Sequence, residues 1–343
     1  MLVLGLEGSA NKLGIAVYDS EALSSDCILS NERITYNGPI GEGFILRDIQ
    51  AYFSDNIHDL LKRSLNVCGK KMKDMELICY TQGPGIGTSL NLVAQFSKTL
   101  AMTLDIPIVG VNHCVAHIEM GRFITKLNDP TVLYVSGANT QVISYKNNKY
   151  HIHGEALDVA IGNCLDKIAR ILQIPNDPSP GYNIEQLAKK GELLFDSITN
   201  TIKGMDIALS GITTIIKTKG LAAIESGQYS IEDICMSIQE YLFSDLTEIT
   251  ERAMSDSNSD GLIVVGGVGC NERLQKMLTI MCNDRGAKLG CMDDKYCIDN
   301  GAMIAHTGYL MYKHSTDKSA FIPENVTVDQ RFRTDQVHIS WRE

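Results

Sequence analysis

The chain begins the same way twice, and that repetition constrains its fold more than any other feature. Residues 2–6 form an apolar run that enters Glu7-Gly8-Ser9-Ala10-Asn11-Lys12 and returns as Leu13-Gly14-Ile15-Ala16-Val17-Tyr18. Far downstream, Val132-Leu133-Tyr134-Val135-Ser136 enters Gly137-Ala138-Asn139-Thr140 and returns as Gln141-Val142-Ile143-Ser144-Tyr145. Each is an apolar strand, a tight turn of small and polar residues, and a returning strand, the signature of a β-hairpin. Two hairpins ~130 residues apart in a chain of 343 residues predict two similar α/β halves of ordinary domain size. Their turns offer backbone N–H groups and small hydroxyls suited to gripping a phosphate from both sides.

Between the hairpins, residues 77–80 read as a short buried strand that runs into Gln82-Gly83-Pro84-Gly85-Ile86-Gly87-Thr88-Ser89. A helix is expected next, with Leu92, Phe96, Leu100 and Leu104 recurring every four residues and Thr88 or Ser89 as its cap. The glycine-rich stretch lacks the Gly-Lys-Ser/Thr ending of a phosphate loop, so it reads as shape-forming. A third element joins the apolar strand 262–265 to Gly266-Gly267-Val268-Gly269-Cys270-Asn271 and a helix carrying Leu274, Met277, Leu278 and Met281. Glycines let backbone approach a ligand closely, and the helix N-terminus favours a polar or anionic group. Glu272 at the third glycine position excludes the dinucleotide fingerprint. Helices are expected over 158–172, which holds Cys164, Leu165, Asp166, Ile168 and Leu172, and over 238–254. The segment Pro178-Ser179-Pro180-Gly181-Tyr182-Asn183-Ile184-Glu185 breaks the chain before another helix.

Composition enters through charge. A hydrophobic content of 44% supplies ample core, but the net charge is −10. Non-specific nucleic-acid affinity comes from Lys and Arg displacing counterions, so a nucleic-acid role here requires a local basic surface or a basic partner. Ten cysteines include no Cys-x-x-Cys pair, and Cys79, Cys114, Cys164 and Cys270 read as small buried hydrophobes of a reducing compartment. No basic leader precedes the first strand, and no apolar run approaches the ~20 residues of a membrane span. A soluble, cytosolic protein is expected.

His113 and His117 stand four residues apart in Asn112-His113-Cys114-Val115-Ala116-His117. On a helix these positions share one face, so both imidazoles can point at one ion, and divalent transition metals accept neutral imidazole. Near the end, Asp299-Asn300-Gly301 stands where a helix would begin, which by itself reads as an N-cap.

Together, Glu7-Gly8-Ser9, the 112–117 histidine motif, Tyr134-Val135-Ser136-Gly137-Ala138-Asn139-Thr140-Gln141, Asp166, the 180–185 segment, Gly266 to Asn271 and Asp299 to Ala305 resemble the Kae/TsaD/Qri family. These are the catalytic subunits of tRNA threonylcarbamoyladenosine synthesis, formerly described as O-sialoglycoprotein endopeptidases. Asn163 to Lys167, Pro178 to Asn183 and the tail Gln330 to Asp335 are similar to the archaeal and eukaryotic cytosolic branch.

The resemblance implies an α/β, actin/hexokinase-like duplicated two-lobe fold with a central nucleotide and metal cleft. The lobes would be 1–127 and 128–312, with a tail 313–343 packing back on the protein. It implies one divalent metal ion per subunit, iron or zinc, held by His113, His117 and Asp299 with Tyr134 at or beside it. The donor's adenylate would lie against Tyr134, Val135, Ser136, Gly137, Ala138, Asp166, Gly181, Glu185 and Asn271, with Asp166 and Glu185 accepting from ribose hydroxyls. The reaction implied is transfer of threonylcarbamoyl from threonylcarbamoyl-AMP to the adenosine following the anticodon of tRNAs that read ANN codons. No general base is evident. The implied partners are tRNA, bound mainly through a KEOPS-type complex, and that complex's atypical kinase/ATPase and dimerising subunits. No membrane is involved, and the implied compartments are the cytoplasm and the nucleus. Arg331, Arg333 and Arg342 would add a basic tail contact.

Three stretches depart from the family pattern: Ala138 replaces a second glycine, Ala116 replaces a glycine between the histidines, and Leu209 to Thr214 matches only in part. A methyl at 138 matters if that residue needs positive φ. A zincin-type protease is disfavoured because Cys114 stands where its catalytic glutamate would be. A sugar or acetate kinase would have no use for the histidine pair, and a non-catalytic nucleotide-binding scaffold would not need to keep both histidines and Asp299.

Overall fold

The computed structural model describes residues 1–22, 24–39, 43 and 45–342. Its first sheet contains β1 (Leu2–Glu7), β2 (Lys12–Asp19), β3 (Ile28–Thr35), β4 (Leu77–Gly83) and β5 (Ile108–Asn112). Helices α1 (Leu46–Cys68), α2 (Gly87–Leu104) and α3 (His113–Thr125) follow β3, β4 and β5. The strand order is β3-β2-β1-β4-β5, with β1, β2 and β3 antiparallel in turn and β1, β4 and β5 parallel.

The second half repeats this plan. It starts with β6 (Thr131–Val135), β7 (Thr140–Lys146) and β8 (Lys149–Glu155), then α4 (Ile161–Ile171) and α5 (Pro180–Ala188). A two-residue ladder of β9 (Ile202–Lys203) and β10 (Asp206–Ile207) precedes α6 (Ser210–Ile215) and α7 (Leu221–Glu225), which one π-helical turn joins. Then come α8 (Ile231–Ser257), β11 (Gly261–Val265), α9 (Glu272–Arg285), β12 (Lys288–Gly290), α10 (Asp294–Cys297) and α11 (Gly301–His314). The order β12-β11-β6-β7-β8 mirrors the first sheet strand for strand, and the directions match. The duplication announced by the hairpins therefore extends through all five strands.

Period-two alternation sorts the side chains into layers. On β1, Leu4 and Leu6 face α1 and α2 in one core, while Val3 faces a second core shared with α3 and α11. On β6, Leu133 and Val135 face the helices of the second half, while Val132 and Tyr134 face α3 and α11. Helices α3 and α11 thus lie between the two sheets, and Glu7 and Tyr134 enter this middle layer from opposite sides.

Helix α11 follows the second sheet in sequence but packs against β1, β2, β4 and α3. Glycines permit this approach. A Cβ on Gly301 would sit 2.5 Å from the Ala16 nitrogen, and one on Gly5 would run into the Gly301 carbonyl. The residue just before α11, and with it Asp299, is pinned to the first hairpin.

Some element boundaries depart from the sequence reading. Helix α2 starts at Gly87 behind Ile86, so neither Thr88 nor Ser89 is its cap. Its buried face is Leu90, Val93, Ala94, Ser97 and Ala101, and the stripe Leu92, Phe96, Leu100 and Leu104 forms a half-buried flank. Helix α4 starts at Ile161, later than expected, because the Asp158 carboxylate accepts hydrogen bonds from the Leu209 and Ser210 backbone. Helix α8 starts earlier, at Ile231, where Ser230 and Asp233 form a reciprocal capping box.

The tail returns across the molecule. The Asn112 side chain donates to the Phe332 carbonyl at 3.0 Å, and Ile339 N donates to the Asn148 carbonyl at 2.9 Å. Arg342 is buried against Tyr145 and Asp129 and is therefore unavailable as the basic contact expected of it. Arg333 is exposed but paired with Glu155 and Asp335. No helix among the described residues is long and apolar enough to cross a membrane.

Candidate active site

The centre of the middle layer is polar. Strand β5 ends at Asn112, whose side-chain oxygen caps α3 by accepting from Cys114 N and Val115 N. That cap sets His113 as the first helical residue and His117 one turn on, both buried, with ring centroids 4.8 Å apart. At the start of α11, Asn300 takes the capping role by accepting from Met303 N at 3.0 Å. Asp299 is thereby free of the cap. Its Oδ1 lies 3.1 Å from His117 Nε2 and 3.5 Å from His113 Nε2, and the ligand atoms of the three residues lie within 4.8 Å of one another.

Tyr134 reaches the cluster from the second sheet. It is fully buried, its ring lies 5.2 Å from that of His117, and its hydroxyl has no hydrogen-bond partner. Buried phenols almost always find a partner, so this orphaned oxygen beside two imidazoles and a carboxylate fits a bound cation. Mixed nitrogen and oxygen donors suit a divalent transition metal better than magnesium or calcium, which favour all-oxygen sets.

Two residues that sequence reading left without a role complete the cluster. Glu7, fully buried at the end of β1, places Oε2 3.1 Å from His113 Nδ1. It also accepts from Ser9 N, Ser9 Oγ and Thr81 Oγ1. Lys12, the first residue of β2, places Nζ 3.6 Å from Asp299 Oδ2 and 3.1 Å from Asn11 Oδ1. The available signal for Glu7 was a carboxylate on the inward side of an apolar strand.

The electrostatics follow from this packing. Burial alone would raise the Glu7 and Asp299 carboxyls, but His113 beside Glu7, and Lys12 with both histidines beside Asp299, hold them below the usual range. Burial would lower His113, yet Glu7 and then Asp299 lift it. Burial dominates at His117 and lowers it. Tyr134 is pushed far up by burial, with Cys114 and Asp299 adding to the effect.

The remaining predicted residues lie on turns and helices of the second half. Ser136, Gly137 and Ala138 form the β6–β7 turn, closed by Ser136 N donating to the Asn139 carbonyl at 2.8 Å. Ala138 is exposed and has no left-handed backbone, so its methyl is accommodated without strain. The start of α4 abuts this turn, since a Cβ on Gly162 would lie 2.6 Å from the Ser136 carbonyl. One turn further, Asp166 is half-buried, and its carboxyl is raised to about 6 by burial against the pull of Arg170 and Lys12. Gly181 opens α5 with free space where a side chain would stand. Glu185 accepts from Glu272 N at 3.0 Å and so ties α5 to the start of α9. Asn271 caps α9 through its oxygen and donates to Gln239 through its nitrogen, which leaves its amide satisfied within the protein.

Comparison with known proteins agrees with this architecture. The family profile described as tRNA N6-adenosine threonylcarbamoyltransferase matches residues 27–306. The Dictyostelium discoideum protein described as a probable enzyme of that name is 50% identical over 341 residues, covering 99% of both chains. The human protein of that name is 48% identical over 343 residues, with the same coverage. Among solved structures, component A of Acidaminococcus fermentans (R)-2-hydroxyglutaryl-CoA dehydratase superposes with a TM-score of 0.56 at 15% identity, covering 90% of this chain and 98% of that one. Full-length HypF in its phosphate- and nucleotide-bound form gives a TM-score of 0.59 at 11% identity over 90% of this chain and 46% of its own. These likenesses establish the expected actin/hexokinase-like fold. With near-half identity to relatives end to end and a profile match over most of its length, the chain belongs to the tRNA N6-adenosine threonylcarbamoyltransferase family.

Proposed function

We propose that the chain is the acyltransferase that moves threonylcarbamoyl from threonylcarbamoyl-AMP to the N6 amine of the adenosine following the anticodon in tRNAs that read ANN codons. The observation that carries this reading is the buried His113, His117 and Asp299 group beside the orphaned Tyr134 hydroxyl, in a chain of this family. The adenine amine is a poor nucleophile and the donor is an activated mixed anhydride, so catalysis rests on positioning and charge stabilisation. The new C–N bond forms as the C–O bond to phosphate breaks, N6 loses one proton, and AMP leaves with the bonding pair.

His113, His117, Asp299 and Tyr134 would hold one iron or zinc ion, which when bound supplies Lewis-acid stabilisation of charge on the carbonyl or phosphate. Glu7 orients His113 by accepting a hydrogen bond from Nδ1–H, which leaves Nε2 directed at Asp299. The β6–β7 turn from Ser136 to Ala138 offers backbone groups to the adenylate, and Gly181 leaves room for it. Asp166 and Glu185 serve as acceptors for ribose hydroxyls. Asn271 contributes by holding the start of α9 in place.

With a net charge of −10, the chain relies on partner subunits for tRNA affinity. Those partners are an atypical kinase/ATPase and a dimerising subunit of a KEOPS-type complex. The test is transfer of labelled threonylcarbamoyl to unmodified tRNA by the partner-supplemented chain, beside His113→Ala, with bound metal quantified in both. Transfer and metal are expected to disappear together. Wild type that binds the adenylate but modifies no tRNA would overturn the proposal.

A further inference from the structure

The two equivalent hairpins differ where the returning strand opens. In the second hairpin the returning strand opens with Thr140, which is buried and whose hydroxyl accepts from Ile161 N at 2.8 Å. In the first it opens with Lys12, whose side chain is 26% exposed. The Lys12 ammonium is held by Asn11 Oδ1 at 3.1 Å and faces Asp299 Oδ2 at 3.6 Å, while Asp299 Oδ1 is turned to the histidines. An ammonium has three donors, and the contact with Asn11 uses one of them at hydrogen-bond distance. Its charge reaches into both halves, acting on Asp299 and His113 on one side and on Asp166 on the other.

Charge balance shows what such a group is for. Glu7 and Asp299 together carry two negative charges, which a divalent ion beside neutral histidines would just cancel. A phosphate that gains negative charge as it departs would then meet a neutral site. Lys12 leaves the site one unit positive, next to the hairpin turn whose backbone N–H groups suit a phosphate.

We propose that Lys12 is the phosphate-binding cation of this site, holding the phosphoryl group of the nucleotide donor and then the AMP that leaves. This rests on the adenylate-donor reading above. As the C–N bond forms and the C–O bond breaks, the phosphate of AMP goes from one negative charge to two and the amine proton passes to solvent. The Lys12 ammonium meets the added charge.

The test is calorimetric titration of the full-length chain with AMP and with adenosine, in metal-loaded and chelator-treated protein. Wild type would be compared with Lys12→Met and Lys12→Arg, with metal content and melting temperature measured for each. Lys12→Met is expected to bind AMP about tenfold more weakly, with adenosine affinity and metal content unchanged, and Lys12→Arg to stay within about threefold of wild type. If Lys12→Met binds AMP like wild type, Lys12 is only a counter-ion to Asp299 and the inference falls. If Lys12→Met loses metal, AMP and adenosine together, its role is structural and the inference also falls. Wild type that binds neither AMP nor adenosine overturns the nucleotide reading itself.

Discussion

Glu7 and His113, 106 residues apart in sequence, meet through Oε2 and Nδ1 at 3.1 Å with both side chains almost fully withdrawn from water. The contact joins the end of β1 to the start of α3. The carboxylate is held at every lone pair that matters, by Ser9 N, Ser9 Oγ, Thr81 Oγ1 and the imidazole, so it cannot swing away. A buried carboxylate behind an imidazole fixes which ring nitrogen carries the proton and raises the basicity of the other.

Glu7→Gln keeps the shape and removes the charge. Metal affinity is expected to fall about 10- to 100-fold, the usual cost of losing such a supporting carboxylate. Chelator competition on the purified variant measures this directly. Wild-type affinity in Glu7→Gln would mean that His113 needs no support from β1.

Asp166 gives a pH dependence of known sign. Its carboxyl titrates near 3.8 when unperturbed and at about 6 in the folded chain, because burial outweighs Arg170 and Lys12. Between those values the folded state binds more protons than the unfolded one, so this group's contribution to stability falls as pH rises through that window. Asp166→Asn is therefore expected to stabilise the chain above pH 7, by about 1 kcal/mol after allowance for partial exposure, and to be nearly neutral below pH 4. Thermal melts at pH 4.5 and 7.5 check it. Equal shifts at both values would refute the assignment.

Gly266 carries the turn between β11 and the start of α9 at φ 90° and ψ 158°, a region that side chains avoid. A Cβ there would strike the Val135 carbonyl and lie 3.1 Å from the Tyr134 ring. Gly266→Ala is expected to cost about 2–4 kcal/mol and to displace Tyr134. Gly267→Ala, where no atom lies within 4 Å of the added carbon, serves as the control and should melt close to wild type.

The parts of this molecule that could be read from sequence are those built on local rules. Alternation and turn chemistry located both hairpins, and the four-residue spacing of His113 and His117 predicted one helical face, because each signal lies within a few neighbouring residues. The core face of α2 is not legible from the four-residue recurrence, because small residues, Ser89, Ala94, Ser97 and Ala101, let the sheet approach, and a hydrophobicity pattern favours the larger flank. Asp299 and Asn300 looked alike as caps, and only the packing of α11 on Gly5 separates the capping residue from the one facing the histidines. Glu7 belongs to the Glu7-Gly8-Ser9 motif and Lys12 ends the first turn, but neither has a chemical role that the sequence alone assigns. Their roles depend on which face of β1 turns toward α3 and on how close the first hairpin comes to α11, both of which are tertiary facts.

Arg342 is anchored by a different means from its neighbours in the tail. Its guanidinium lies 3.6 Å from the centroid of the Tyr145 ring and donates to the Asn128 carbonyl at 2.6 Å, to Asp129 Oδ1 at 2.9 Å and to Tyr150 Oη at 3.3 Å. Tyr150 in turn donates to Glu119 of α3 at 2.5 Å, so the tail is tied to the helix that carries both histidines. Arg342→Ala removes a buried cation from a satisfied network and is expected to cost about 2–3 kcal/mol. Arg331 is exposed and makes no ion pair among the described residues, so Arg331→Ala should leave stability within about 0.5 kcal/mol. If the tail meets tRNA, Arg331→Ala should flatten the salt dependence of tRNA binding, while Arg342→Ala should lower the chain's melting temperature and leave that slope unchanged. A lowered slope in Arg342→Ala with an unchanged melt would show that this arginine leaves its pocket to reach the nucleic acid.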